Sequence, residues 1–170
     1  MKNVLSCLAV FGVSLVALPA AEVFEVTKER VEELPGGKEA DGIIGDFVLR
    51  NDLVEAVISQ NAPLRRANMS TFYGKDGETP GCLYDLTLRG TDNDQITILA
   101  PLGQKGKVSW VRIVPSDELE PNEAAVETVV TSARSGGLHK RYRYLVTDGV
   151  QGVTILTTLR NEGAEPVTVK

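Results

Sequence analysis

The stretch 140-KRYRYLVTDGVQGVTILTTLRN-161 decides the fold class. Tyr142, Tyr144 and Val146 alternate with Arg141, Arg143 and Leu145, a period of two that puts one set on each face of a strand. Asp148-Gly149 then supplies a turn dipeptide. Val153, Ile155, Thr157 and Leu159 share a face of the next alternating run, and Asn161-Glu162-Gly163 marks a further turn. No helical period fits either run.

The same alternation continues toward the N-terminus. Strands are expected over 22–27, 82–90, 95–100, 106–114 and 124–130, with a further one beginning at 166. Residues 46–59 read as a hairpin, with Asn51-Asp52 expected to turn in left-handed conformations. Helical spacing is confined to a short turn near Val31 and Leu34. About nine short strands separated by turn signals specify an all-β chain, an antiparallel β-sandwich. One domain over 22–170 accommodates them. Residues 115–123, with two prolines and four acids, are expected to cross from one sheet to the other. A strand starting at Pro166 needs a neighbour to cover it, so the sandwich is expected to continue beyond Lys170 as the front part of a larger protein.

Residues 1–21 have the order of a secretory signal peptide: Lys2, an apolar run from Val4 to Leu18, then small residues around Ala20 and Ala21. The run is shorter than the roughly 20 residues a spanning helix needs. The expectation is export to the periplasm or exterior, with no membrane attachment after cleavage. Loss of Lys2 would move the formal charge from −5 to −6. That balance argues against a nucleic-acid partner. Beyond the leader Cys82 is the single cysteine, so the core is expected to hold the fold without an internal disulfide.

The chemistry-bearing residues do not form a catalytic pattern. His139 is the single histidine and sits beside Lys140 and Arg141, whereas zinc requires three or four ligands. No metal and no cofactor are expected. Cys82 opens an apolar strand and reads as a structural thiol. Asp76, Glu78, Asp85, Asp92 and Asp94 could supply the paired carboxyls of glycoside cleavage, but solvated turn acids account for them more simply.

The long irregular excursion 59–81 is the candidate recognition element, since such loops carry function on rigid scaffolds. It gathers Arg65, Arg66, Phe72, Tyr73, Lys75 and Asp76. Guanidinium forks bind carboxylates and hydroxyls with directed donors, and aromatic faces stack on apolar sugar faces.

The segment 141-RYRYLVTDGVQGVTILTTLRNEGAEPVTV-169 resembles a strand pair of galactose-mutarotase-like supersandwich domains in carbohydrate-active proteins. The run 45-GDFVLRNDLVEAVIS-59 is similar to the opening hairpin of exported bacterial proteins that end in a metallohydrolase of the polymerase-and-histidinol-phosphatase type. In those, a His-x-His metal motif lies downstream of the β-domain. This chain has no His-x-His, so the resemblance implies a non-catalytic front module with a downstream domain as partner. The first functional expectation is therefore a module that supports or recognises a saccharide or other extracellular ligand. A carbohydrate-active enzyme using acids such as Asp76 and Asp85, and a structural or adhesion domain, are the alternatives.

Overall fold

A computed structural model describes residues 20–68 and 77–169. Eight strands form two four-stranded antiparallel sheets, each a simple meander. The first sheet orders β1 (Glu22–Glu25), β2 (Phe47–Arg50), β3 (Val54–Ile58) and β4 (Leu83–Leu88). The second orders β5 (Trp110–Ile113), β6 (Glu123–Val130), β7 (Leu138–Thr147) and β8 (Thr154–Asn161). Among the described residues, complete 3-10 turns occur at Val31–Glu33, Pro101–Gly103 and Ser116–Glu118.

The sheets stack through one apolar core. Leu49, Ala56 and Ile58 of the first sheet meet Val126, Tyr142 and Tyr144 of the second, all fully buried. The alternation read from 140–147 is what produces this: Tyr142, Tyr144 and Val146 point inward, while Arg141, Arg143 and Leu145 stay half-exposed. Burying rings of this size contributes about 2 kcal/mol each, enough to fix which face of β7 is inside.

Four local expectations are corrected. Neither Asn51 nor Asp52 is left-handed. Asn51 instead closes the β2–β3 turn with its side chain, Oδ1 accepting the amides of Leu53 (2.8 Å) and Val54 (2.9 Å). Its Nδ2 donates across to the carbonyls of Thr147 (2.7 Å) and Val150 (2.8 Å), and Asp52 Oδ1 takes the Gly149 amide at 2.9 Å. Two turns, one from each sheet, are thereby locked together. Residues 95–100 are extended but make only an isolated bridge, Leu99 to Leu83, because Asp94 already occupies the β4 edge. Residues 166–169 form no strand; they are exposed coil.

The segment 115–123 does not cross between sheets, since it joins β5 and β6 of the same sheet. Its Glu118 folds back onto that sheet's outer face. There Arg112 and Arg143 grip buried Glu127 at 2.6 and 3.1 Å and reach Glu118 at 3.5 and 2.9 Å. Burial alone would raise the Glu127 carboxyl, but these hydrogen bonds hold it below the usual range. The crossover between sheets is the β4–β5 connection. Of the expected leader, residues 1–21, positions 1–19 lie outside the described residues, among which no helix is long and apolar enough to cross a membrane.

Candidate functional site

The β3–β4 excursion is pinned at its base. Ser59 is fully buried; its amide donates to Cys82 O (2.9 Å), its carbonyl accepts from Gly81 N (3.0 Å), and its hydroxyl reaches Thr79 O (3.0 Å). Deeper in, Arg65 turns its guanidinium away from solvent. It bonds Asp46 through Nε (3.2 Å) and a terminal nitrogen (2.5 Å), and donates to Asp41 O (2.7 Å) and Arg66 O (3.0 Å). Its plane also lies 4.5 Å from the centre of the Tyr84 ring.

Arg65 was expected to meet ligand. It anchors the loop instead, because a fork with four nearby acceptors and an aromatic face is better satisfied inside than in water. Arg66 remains half-exposed beside it. Phe72, Tyr73, Lys75 and Asp76 lie outside the described residues.

What the pinned loop does form is one wall of a groove. Asn61, Ala62 and Pro63 leave β3, Glu78 and Pro80 return toward β4, Lys107 to Ser109 approach β5, and Arg134 sits in the β6–β7 turn. Three connections thus converge at one end of the sandwich. They enclose about 240 Å³, and a shallower lobe of about 470 Å³ continues past Ser109, Thr131 and Ala133. The walls are tied to one another. Gly106 N donates to Glu78 O (2.7 Å), Ser109 Oγ bonds Thr131 Oγ1 (3.1 Å), and Asn61 Nδ2 reaches Ser109 O (3.4 Å).

Lys107 and Arg134 are exposed at the rim, and neither has an ion-pair partner among the described residues. Directed donors over a small apolar floor of prolines and Val108 suit a compact polar ligand. Of these lining groups, Asn61, Ala62, Pro63, Glu78 and Pro80 fall in the 59–81 excursion, whereas Lys107, Val108, Ser109 and Arg134 come from two other connections. The one signal that could have found them is strand parity, since turns on alternate sides of an antiparallel meander emerge at the same end.

Of the carboxylates considered for bond cleavage, Asp76 lies outside the described residues and Glu78 lines the groove, while Asp85, Asp92 and Asp94 accept backbone amides. Asp85 is fully buried on β4, with Oδ1 taking the Asp41 amide (2.9 Å) and Oδ2 the Gly42 amide (3.0 Å). Asp92 accepts the Gly36 amide at 3.0 Å, and buried Asp94 accepts Leu86 N at 2.8 Å. Both belong to a clasp that draws loop 35–42 over the edge of β4, so Asp85 and Asp94 are not solvated turn acids. Among the described residues no cluster of three acidic, histidine or cysteine side chains is arranged to hold a metal ion. Burial pushes the Cys82 thiol up to about 12, and its sulfur lies 3.7 Å from the Gln104 carbonyl and 4.0 Å from that of Pro80. Such a thiol is inert as a nucleophile at neutral pH.

Burial, followed by the neighbouring Asp94 and Asp41 charges, pushes Asp85 up to about 7 against the two amide bonds that favour its ionised form. The folded state therefore holds a proton that the unfolded chain has released. Stability from this group is full below the unfolded value of about 4 and falls by about 1.4 kcal/mol per unit until pH reaches about 7. Urea unfolding midpoints should decline from pH 5 to pH 7 and level off above that. Asp85→Asn, which cannot titrate, should flatten this slope even though it costs one amide its acceptor. An unchanged slope in the variant would refute the assignment.

Comparison against protein-family models, curated proteins and solved structures returns no match in any of the three.

Proposed function

We propose that the chain is an exported, non-catalytic sandwich module that recognises a saccharide at the groove where the β3–β4, β4–β5 and β6–β7 connections meet. The observation that carries this reading is the placing of two cations without an ion-pair partner among the described residues, Lys107 and Arg134, with Asn61 and Glu78 around a floor of about 240 Å³. A space of that size lies just under the usual range for small-molecule pockets, about 300–1,000 Å³, and suits a single sugar ring. Prolines 63 and 80 offer flat C–H surfaces to the ring, and the rim donors meet hydroxyls or a uronate carboxylate. The resemblance to mutarotase-like supersandwich domains supports the same ligand class, and the inward use of Asp85 and Cys82 supports binding without turnover.

Isothermal titration of the protein against neutral and uronate-containing oligosaccharides tests the reading. Binding should occur with no release of reducing ends. Arg134→Ala should weaken it at least tenfold, about 1.4 kcal/mol, while circular dichroism stays unchanged because Arg134 is exposed in a turn. Failure of every saccharide to bind, or equal binding by the variant, refutes the proposal.

A further inference from the structure

Charge is divided unevenly between the two ends of the sandwich. At the end that holds the groove, the described residues of 59–68, 77–82, 100–109 and 131–137 place Arg66, Lys105, Lys107 and Arg134 at the surface. A single acid, Glu78, stands among them. None of these four cations has an ion-pair partner among the described residues, whereas Arg30, Arg50, Arg89, Arg112 and Arg143 elsewhere do. The opposite end reverses the sign. Its turns at 51–53, 89–93, 115–122 and 148–152 hold Asp52, Asp92, Asp117, Glu118, Glu120 and Asp148. Their one cation is Arg89, which lies 3.9 Å from Glu55. In a chain of net charge −5, unpaired cations gathered at one end make a local field that draws anions to that end.

Resting on the saccharide reading of the groove, we infer that its ligand is an acidic oligosaccharide, a run of uronate sugars laid across three adjoining hollows. The groove of about 240 Å³ is the middle hollow and has Lys107 in its wall. The lobe of about 470 Å³ shares Ser109 and Arg134 with it. On the other side lies a third hollow of about 170 Å³, lined by Thr79, Ile98, Ala100 and Lys105. It is parted from the groove by the ridge where Gly106 N donates to Glu78 O at 2.7 Å. Lys105, Lys107 and Arg134 thus serve successive hollows, which matches a polymer with one carboxylate per ring. The mixture of groups selects a saccharide over other polyanions. The three cations only donate, the Glu78 carboxylate only accepts, and the Asn61 amide does both. A uronate ring supplies a carboxylate to the cations and hydroxyl donors to Glu78 and Asn61. A DNA or polyphosphate backbone offers acceptors alone and sets negative charge against Glu78.

Isothermal titration of the full chain with galacturonate oligomers of increasing length, beside neutral oligosaccharides of matched length, tests the inference. Affinity for the acidic series should rise about tenfold or more from monomer to trimer, level off beyond it, and exceed that of the neutral trimer about tenfold. Raising ionic strength from about 0.01 to 1 M shortens the screening length from about 30 to 3 Å and should remove most of that advantage. The double variant Lys105→Gln/Lys107→Gln should weaken the acidic trimer about tenfold and the neutral one little, with unchanged circular dichroism because both lysines are exposed. Lys28→Gln, exposed and part of none of the hollows, should leave both affinities unaltered. Neutral chains that bind as tightly as acidic ones overturn the inference and leave the saccharide reading standing, whereas failure of both series refutes the two together. A DNA or polyphosphate oligomer that matches the acidic trimer overturns the choice of saccharide. Affinity independent of length, or a loss in Lys28→Gln equal to that of the double variant, overturns the three-hollow site.

Discussion

Gly81→Ala should cost about 2–5 kcal/mol of stability, read as a large fall in the urea midpoint. Gly81 has φ +68°, where an L side chain costs about 1–2 kcal/mol. An added Cβ would stand 2.4 Å from both Thr128 Cγ2 and Oγ1, so the Thr128 side chain or the Gly81 backbone must shift. Overpacking of this kind adds about 1–3 kcal/mol. The displacement also strains the tie between the sheets, because Gly81 O accepts from Thr128 Oγ1 at 2.8 Å and from Tyr144 Oη at 2.9 Å. In the double variant Gly81→Ala/Thr128→Ala the steric part should be relieved and the backbone part should remain. The two changes should therefore be less than additive. Additive losses would show that the close approach is not the cause.

Arg65→Met should cost about 3–5 kcal/mol. The change strands the fully buried Asp46 carboxylate, which keeps only the amides of Ile43 (3.0 Å) and Gln60 (2.8 Å). Arg65→Lys keeps the charge but cannot span Asp46, the Asp41 carbonyl and the Tyr84 face together, so it should fall between wild type and Met. The double variant Arg65→Met/Asp46→Asn should recover part of the loss, because the buried charge goes with its partner. Thermal or urea unfolding of the four proteins checks this. The same anchor sets the loop wall of the groove, so saccharide affinity should fall with Arg65→Met even at temperatures where the protein is fully folded. Unaltered affinity in the folded variant would detach the anchor from the site.

The two predictions locate the division between what sequence specified and what it did not. Alternation in 140–161 was enough to orient β7: Tyr142 and Tyr144 are too large and apolar to lie outside, and a period of two leaves only one register that buries both. Asn51-Asp52 was legible as a turn for its composition, although the turn works through the Asn51 side chain rather than a left-handed backbone. Residues 95–100 carried as good a strand pattern as any other. They failed to become one because Asp94 took the Leu86 amide first, a competition between side chain and ladder that periodicity does not register.

The candidate site was half legible. The irregular 59–81 segment was identified as an excursion by its prolines and glycines, and its described ends, at Asn61 to Pro63 and at Glu78 and Pro80, line the groove. Arg65 was misassigned because composition cannot tell a fork aimed at water from one aimed at Asp46, a residue nineteen positions earlier. Lys107 and Arg134 went unnoticed because Lys107 reads as part of the 106–114 strand and Arg134 as an ordinary cation until strand order brings them to one end.

Hydrophobic periodicity by itself therefore determined the class of fold, most of the strands and their inward faces, since these follow from local spacing and the cost of exposing apolar surface. Tertiary structure alone decided which polar side chains are consumed in holding loops and which remain at a rim. Those outcomes depend on contacts between residues distant in the chain, where a short-range pattern holds no information about distance.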